Sequence, residues 1–179
     1  MARRKPDPGA IYVSPRLQAS LEPMGRCALT TVTAPMGYGK TTAVNWFLAA
    51  QPPGSAIRVS IYSDSLPALW ESGRRAFRAA GLTVLEGFDC PTDPAATGLL
   101  VDTLCRELRR PEPWYLFADD LHLLSDPRMA RFLCELAARL PENVHLIAAS
   151  RDSFLSGGAV VRLGSRLHQI GAGQLRLNH

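Results

Sequence analysis

Apolar and polar positions along the chain fall into short blocks that alternate between two periods. Residues 28–34 (ALTTVTA), 56–61 (AIRVSI), 114–118 (WYLFA) and 144–149 (VHLIAA) are runs of β-branched, aromatic and aliphatic residues with few charges. Runs this short and this apolar predict strands buried on both faces, as a covered parallel sheet requires. Between them apolar residues recur at helical spacing. Residues 40–50 (KTTAVNWFLAA) predict a helix stopped by Pro52-Pro53, and 67–80 (PALWESGRRAFRAA) one that ends at Gly81 as its C′ residue. Residues 95–109 predict another, and 127–140 one that stops at Pro141. Residues 87–94 (GFDCPTDP) predict a loop, the glycine-rich 153–165 an irregular segment, and 166–170 a last short strand. Strands alternating with helices predict an α/β sandwich of three layers around a parallel sheet. Such sheets bind ligands beyond the carboxyl ends of their strands.

The chemistry-bearing residues fall at those ends. The segment Ala34-Pro35-Met36-Gly37-Tyr38-Gly39-Lys40-Thr41-Thr42 follows the first strand and opens a helix. It meets seven of the eight positions of the phosphate-loop pattern G-x-x-x-x-G-K-[ST], with Ala34 in place of the first glycine. Gly37 and Gly39 let the backbone wrap tightly, so that N–H groups, that of Tyr38 among them, point at phosphate oxygens. The helix start adds its partial positive charge. Lys40 is expected exposed at the loop–helix junction, reaching β- and γ-phosphates. Thr41 is the expected Mg²⁺ ligand, and Thr42 would lie near the α-phosphate.

The strand 114–118 runs into Asp119 and Asp120. A carboxylate at such a strand end holds Mg²⁺ in phosphoryl-transfer proteins. Asp119 is the candidate for that role, through a metal-bound water, and Asp120 for polarising the water that attacks the γ-phosphate. An Asp-Asp turn capping the next helix is the alternative. The strand 144–149 leads into Ser150-Arg151, and Arg151 could supply positive charge at the γ-phosphate; a surface arginine is the alternative. His122 follows the acidic pair, and a helix-capping or packed role suits it as well as a catalytic one.

Composition narrows the class. The chain has 179 residues, 46% hydrophobic and 20% charged, which suits one globular domain and excludes a disordered chain or a coiled coil. No run approaches the ~18 apolar residues of a spanning helix, and the basic start has no apolar h-region behind it, so a cytoplasmic protein without membrane contact is expected. The net charge is +4, but Arg3, Arg4 and Lys5 supply three of those charges. The expected division is therefore a basic tail over 1–10 and a nearly neutral nucleotide-binding domain over 11–179. So neutral a body offers duplex DNA little field. Cys27, Cys90, Cys105 and Cys134 form no C-x-x-C pair, and the four histidines form no metal-binding pattern.

Three stretches together, 33–42 (TAPMGYGKTT), 114–124 (WYLFADDLHLL) and 142–152 (ENVHLIAASRD), resemble the ATPase domain of the maltose-regulon activator and its LuxR-family relatives, regulators of the STAND class. Residues 12–22 and 167–178 resemble that family's passages into and out of the domain, so the resemblance covers nearly the whole chain. It implies a P-loop NTPase sheet of the ASCE type, in the order 5-1-4-3-2. It implies a slow, Mg²⁺-dependent ATPase used as a switch, silent with ADP and able to self-associate with ATP and an inducer that the sequence does not identify. In such regulators DNA is bound by a C-terminal helix-turn-helix beyond lid and sensor domains, which implies that these 179 residues are an excised piece. The resemblance also makes Tyr12, Val13 and Arg16 candidates for contact with the adenine. A small-molecule P-loop kinase or a free-standing ATPase is the alternative function, although the 153–165 segment offers only Arg162 toward a kinase lid.

Overall fold

The computed structural model describes residues 13–60, 65–90, 93–120 and 127–175. Its centre is a sheet of five strands: β1 (Leu29–Thr33), β2 (Ala56–Ser60), β3 (Trp114–Asp119), β4 (Val144–Ser150) and β5 (Leu167–Ile170). All pairings are parallel and the order is β2-β3-β4-β1-β5, which is the expected 5-1-4-3-2 read from the other edge.

Strand alternation sends side chains to two separate cores. Trp114, Leu116, Leu146 and Ala148 face one, beneath α3 (Leu66–Ala79), α4 (Pro94–Leu108), α5 (Pro127–Arg139) and α6 (Gly157–Leu163). Tyr115, Phe117, Ile147 and Ala149 face the other, beneath α1 (Pro15–Leu21), α2 (Lys40–Ala49) and α7 (Ala172–Leu175). Helices on both faces explain why β3 and β4 carry so few polar residues.

Helix ends follow local chemistry. The Ser14, Ser65, Asp93 and Ser156 side chains accept N–H bonds at the starts of α1, α3, α4 and α6, and proline stands in the first turn of α1, α3 and α4. After α3, Gly81 takes φ +83°; its N–H bonds the Arg78 carbonyl and that of Leu82 bonds the Phe77 carbonyl, closing the helix as its sequence predicts. The 153–165 segment departs from expectation. It contains α6, started by Ser156 despite Gly157 and Gly158, and held by Leu163 in the first core. The last strand begins at Leu167, because Arg166 ends a short 3₁₀ turn and bonds the Ala137 and Leu140 carbonyls. Among the described residues no helix is long and apolar enough to cross a membrane.

Candidate functional site

Register alone gathers the expected residues at one edge. Thr33 lies opposite Ser150, and Ser60 opposite Asp119, so β1 to β4 end together. From Thr33 the chain enters the loop. The N–H of Ala34 donates to the Ser150 carbonyl at 3.2 Å, fixing the loop's first residue to the end of β4. Ala34 is buried, and this tight seat explains why a small residue stands there. Gly37 (φ +89°) and Gly39 (φ +77°) both take the left-handed region. Gly39 is the N-cap of α2, so the loop's curl ends on the helix's first amides.

Lys40 corrects one expectation. It is only 9% exposed, not open to solvent. Its ammonium donates to the carbonyls of Ala34 (2.5 Å) and Pro35 (3.2 Å), lying inside the curl of its own loop. A cation beside inward-turned carbonyls is satisfied there without entering an apolar core.

Thr41 and Asp119 are 78 positions apart in sequence, yet the Thr41 hydroxyl donates to Asp119 Oδ2 at 2.8 Å. The other carboxylate oxygen, Oδ1, accepts the N–H of Asp120 at 3.0 Å. Both Asp119 oxygens are thereby oriented at the mouth of the loop. Thr41 and Asp119 form a hydroxyl–carboxylate pair of hard oxygen donors, a set that suits Mg²⁺ with waters and phosphate oxygens completing its shell. Among the described residues no group of three or more His, Cys, Asp or Glu could hold a metal by itself, so phosphate oxygens would be needed.

Asp120 is exposed and has φ +60°, unique among the described non-glycine residues. Aspartate tolerates that region better than most residues. Arg151 is exposed one residue past Ser150, whose hydroxyl donates to the Asp152 carbonyl at 2.6 Å. It stands at the same edge as the loop, with no hydrogen bond or ion pair to another described residue. Thr42 is half-buried in the first turn of α2, and Tyr38 is half-buried against the second core.

The leading segment is less directly engaged. The Val13 side chain belongs to the second core, and its carbonyl accepts from the Gln18 amide at 2.9 Å. Arg16 is exposed on α1, which packs against α2. Tyr12 and His122 lie outside the described residues. Sequence reasoning did not see that Ser150 anchors the loop, because the anchor is its backbone carbonyl, which the residue type does not reveal.

No protein-family model matches the sequence. Solved structures do resemble the fold. One is a Signal Transduction ATPase with Numerous Domains (STAND) protein with a tetratricopeptide repeat sensor from Pyrococcus horikoshii, at TM-score 0.61 and 12% identity, covering 90% of this chain and 23% of that one. A chain in the structure of Drosophila ORC bound to AT-rich DNA and Cdc6 aligns at TM-score 0.52 and 15% identity, over 88% of this chain and 55% of that one. A chain of Drosophila ORC bound to DNA aligns at TM-score 0.52 and 14% identity, over 88% and 91%. This chain thus spans about a quarter of the STAND protein and about half of the first ORC chain. With the parallel order β2-β3-β4-β1-β5 and the glycine loop between β1 and α2, these likenesses establish an α/β protein of the P-loop NTPase fold.

Proposed function

We propose that this chain is a nucleotide-binding switch module that holds ATP or ADP with Mg²⁺ and hydrolyses ATP slowly. The observation that carries the reading is the 2.8 Å hydrogen bond from Thr41 to Asp119, which joins the phosphate loop to the carboxylate at the end of β3, the strand beyond β4 in the sheet. A glycine turn that preceded Lys-Thr by chance would have no reason to meet this carboxylate.

In this reading the amides of Gly37, Tyr38 and Gly39 receive phosphate oxygens. Lys40 exchanges the carbonyls of Ala34 and Pro35 for the β- and γ-phosphates, a stronger, charge-assisted partner. Thr42 lies toward the α-phosphate, and Tyr12, Val13 and Arg16 toward the adenine. Thr41, and Asp119 through a metal-bound water, would hold Mg²⁺, which would supply positive charge to neutralise the phosphates. Asp120 orients the attacking water, and Arg151 adds positive charge at the γ-phosphate.

The finer reading is a module of a LuxR-family transcriptional regulator of the STAND class, acting in the cytoplasm. An inducer and ATP would permit self-association, and DNA would be bound only by a separate C-terminal domain. It rests on the sequence resemblance and is supported by the fold shared with the STAND protein. The small-molecule kinase reading gains nothing from α6, where Arg162 is held by Glu135 at 3.0 Å.

Phosphoryl transfer depends on positioning and on cations at the γ-phosphate, and a further arginine is worth ~10³–10⁵ in rate. With only Lys40, Mg²⁺ and Arg151 available, turnover by this chain should fall far below the ~1–100 s⁻¹ of kinases. Steady-state phosphate release with saturating Mg-ATP tests this. Asp120→Asn should bind ATP and lose the residual turnover, whereas Asp119→Asn should lose Mg²⁺-dependent affinity. Identical behaviour of the two variants would overturn the division of roles, and a blank-corrected rate near ~1 s⁻¹ would replace the switch with a complete enzyme.

A further inference from the structure

Ser150 closes β4 and is only 1% exposed, yet it makes two polar contacts that lead in different directions. Its carbonyl accepts the Ala34 N–H at 3.2 Å, which ties it to the first residue of the phosphate loop. Its hydroxyl donates to the Asp152 carbonyl at 2.6 Å, which closes a ring around the backbone of Arg151. Leu146 and Ala148 face the first core, and the strand period of two places the Ser150 side chain on that same face, whereas α2 packs on the other. The hydroxyl proton is committed to the turn, so this side chain acts on its neighbours and not on a phosphate.

The turn matters because nothing else holds Arg151. The residue is exposed and its guanidinium meets no hydrogen-bond or ion-pair partner among the described residues. An arginine on a loose chain would lose backbone freedom as well as side-chain freedom on meeting an anion, and that loss subtracts from binding. A turn fixed in advance removes the backbone part. It also fixes the root of the arginine relative to the loop, because both are bonded to one buried residue.

We propose that Ser150 is a positioning residue that sets Arg151 against the γ-phosphate and so gives the site a preference for ATP over ADP. The proposal rests on the nucleotide reading above, in which the loop amides serve phosphates common to both nucleotides and Arg151 serves the one that only ATP carries. ATP affinity should therefore depend on the Ser150 hydroxyl, and ADP affinity should not.

Isothermal titration of Mg-ATP and Mg-ADP into wild type, Ser150→Ala, Arg151→Ala and the double variant tests it. Arg151→Ala removes a charged hydrogen-bonding group and should lower the ATP-over-ADP preference by ~10-fold or more. Ser150→Ala keeps the backbone bond to Ala34, frees the turn, and should lower the preference by ~3–10-fold. The double variant should show no smaller preference than Arg151→Ala alone, because the serine acts only through the arginine. A second measurement needs no variant: in the unmodified chain without nucleotide the Arg151 amide should be as rigid as the sheet, with an NMR order parameter near ~0.85. An undiminished preference in either single variant, equal weakening of both nucleotides by Ser150→Ala, additive losses in the double variant, or an order parameter below ~0.6 would each overturn the proposal. A wild type that binds neither nucleotide would instead overturn the nucleotide reading itself, and the proposal with it.

Discussion

Replacing glycine by alanine should have opposite signs at two positions of this chain, and the backbone decides which. Gly39 caps α2 at φ +77°, ψ +29°. A Cβ built there meets nothing within 4 Å, so Gly39→Ala carries no steric clash with neighbours. Its cost is conformational, the ~1–2 kcal/mol of placing an L-residue in the left-handed region. Gly98 lies inside α4 with a helical φ, and there too a Cβ meets nothing within 4 Å. Gly98→Ala should therefore stabilise the chain by up to ~1 kcal/mol, by helix propensity and a more restricted unfolded chain. At ~2–4 °C per kcal/mol for a chain of this size, Gly39→Ala should lower Tm by ~2–8 °C and Gly98→Ala should raise it by ~2–4 °C. Thermal unfolding followed by tryptophan fluorescence measures both. Gly39→Asn should fall between wild type and Gly39→Ala, because asparagine visits the left-handed region more readily. Shifts of the same sign for the two alanine variants, or a stabilised Gly39→Ala, would refute the argument and with it the left-handed cap of the loop.

The Thr30 hydroxyl is fully buried in β1 and has no hydrogen-bond partner; Thr30→Val keeps the shape, removes the orphaned group, and should raise the urea midpoint by the equivalent of ~1 kcal/mol. His145 is buried, stacked on Tyr115 at 5.2 Å, with Nδ1 3.0 Å from the Cys27 carbonyl, and burial holds its pKa below the ordinary 6.5. The folded state therefore keeps it neutral where the unfolded chain takes up a proton, so stability should decline as pH falls below about 6.5 toward the folded pKa. His145→Phe should flatten that part of the stability–pH curve, and an unchanged slope would remove His145 as its source.

The strands were legible because they are uninterrupted: Trp114–Asp119 and Val144–Ser150 carry one or no polar residue before their ends, and covered parallel strands need that pattern. The phosphate loop was legible because its glycines, lysine and threonine each answer a separate requirement of phosphate binding. What stayed hidden depends on distant partners. Lys40 could not be seen to turn inward, since the carbonyls it meets exist only once the loop curls. The positive φ of Asp120 is a conformation that aspartate admits but does not announce. The helix α6 was masked by its two glycines, although Ser156, whose side chain accepts the Ala159 N–H at 3.1 Å, was a start signal in plain view.

The central claim is that the loop between β1 and α2 holds nucleotide phosphates through Lys40. Isothermal titration of Mg-ADP and Mg-ATP into wild type and Lys40→Ala tests it most directly, with the urea midpoint of both proteins measured alongside. Because Lys40 is buried and donates to the Ala34 and Pro35 carbonyls, the variant should unfold at a midpoint lower by the ~1–3 kcal/mol of carbonyls left without a partner, and the titration is made where both proteins are folded. Wild type should bind both nucleotides, and loss of a charged hydrogen-bonding group should weaken binding by ~10-fold or more. Equal affinity in the two proteins, or a folded wild type that binds neither nucleotide, would contradict the account.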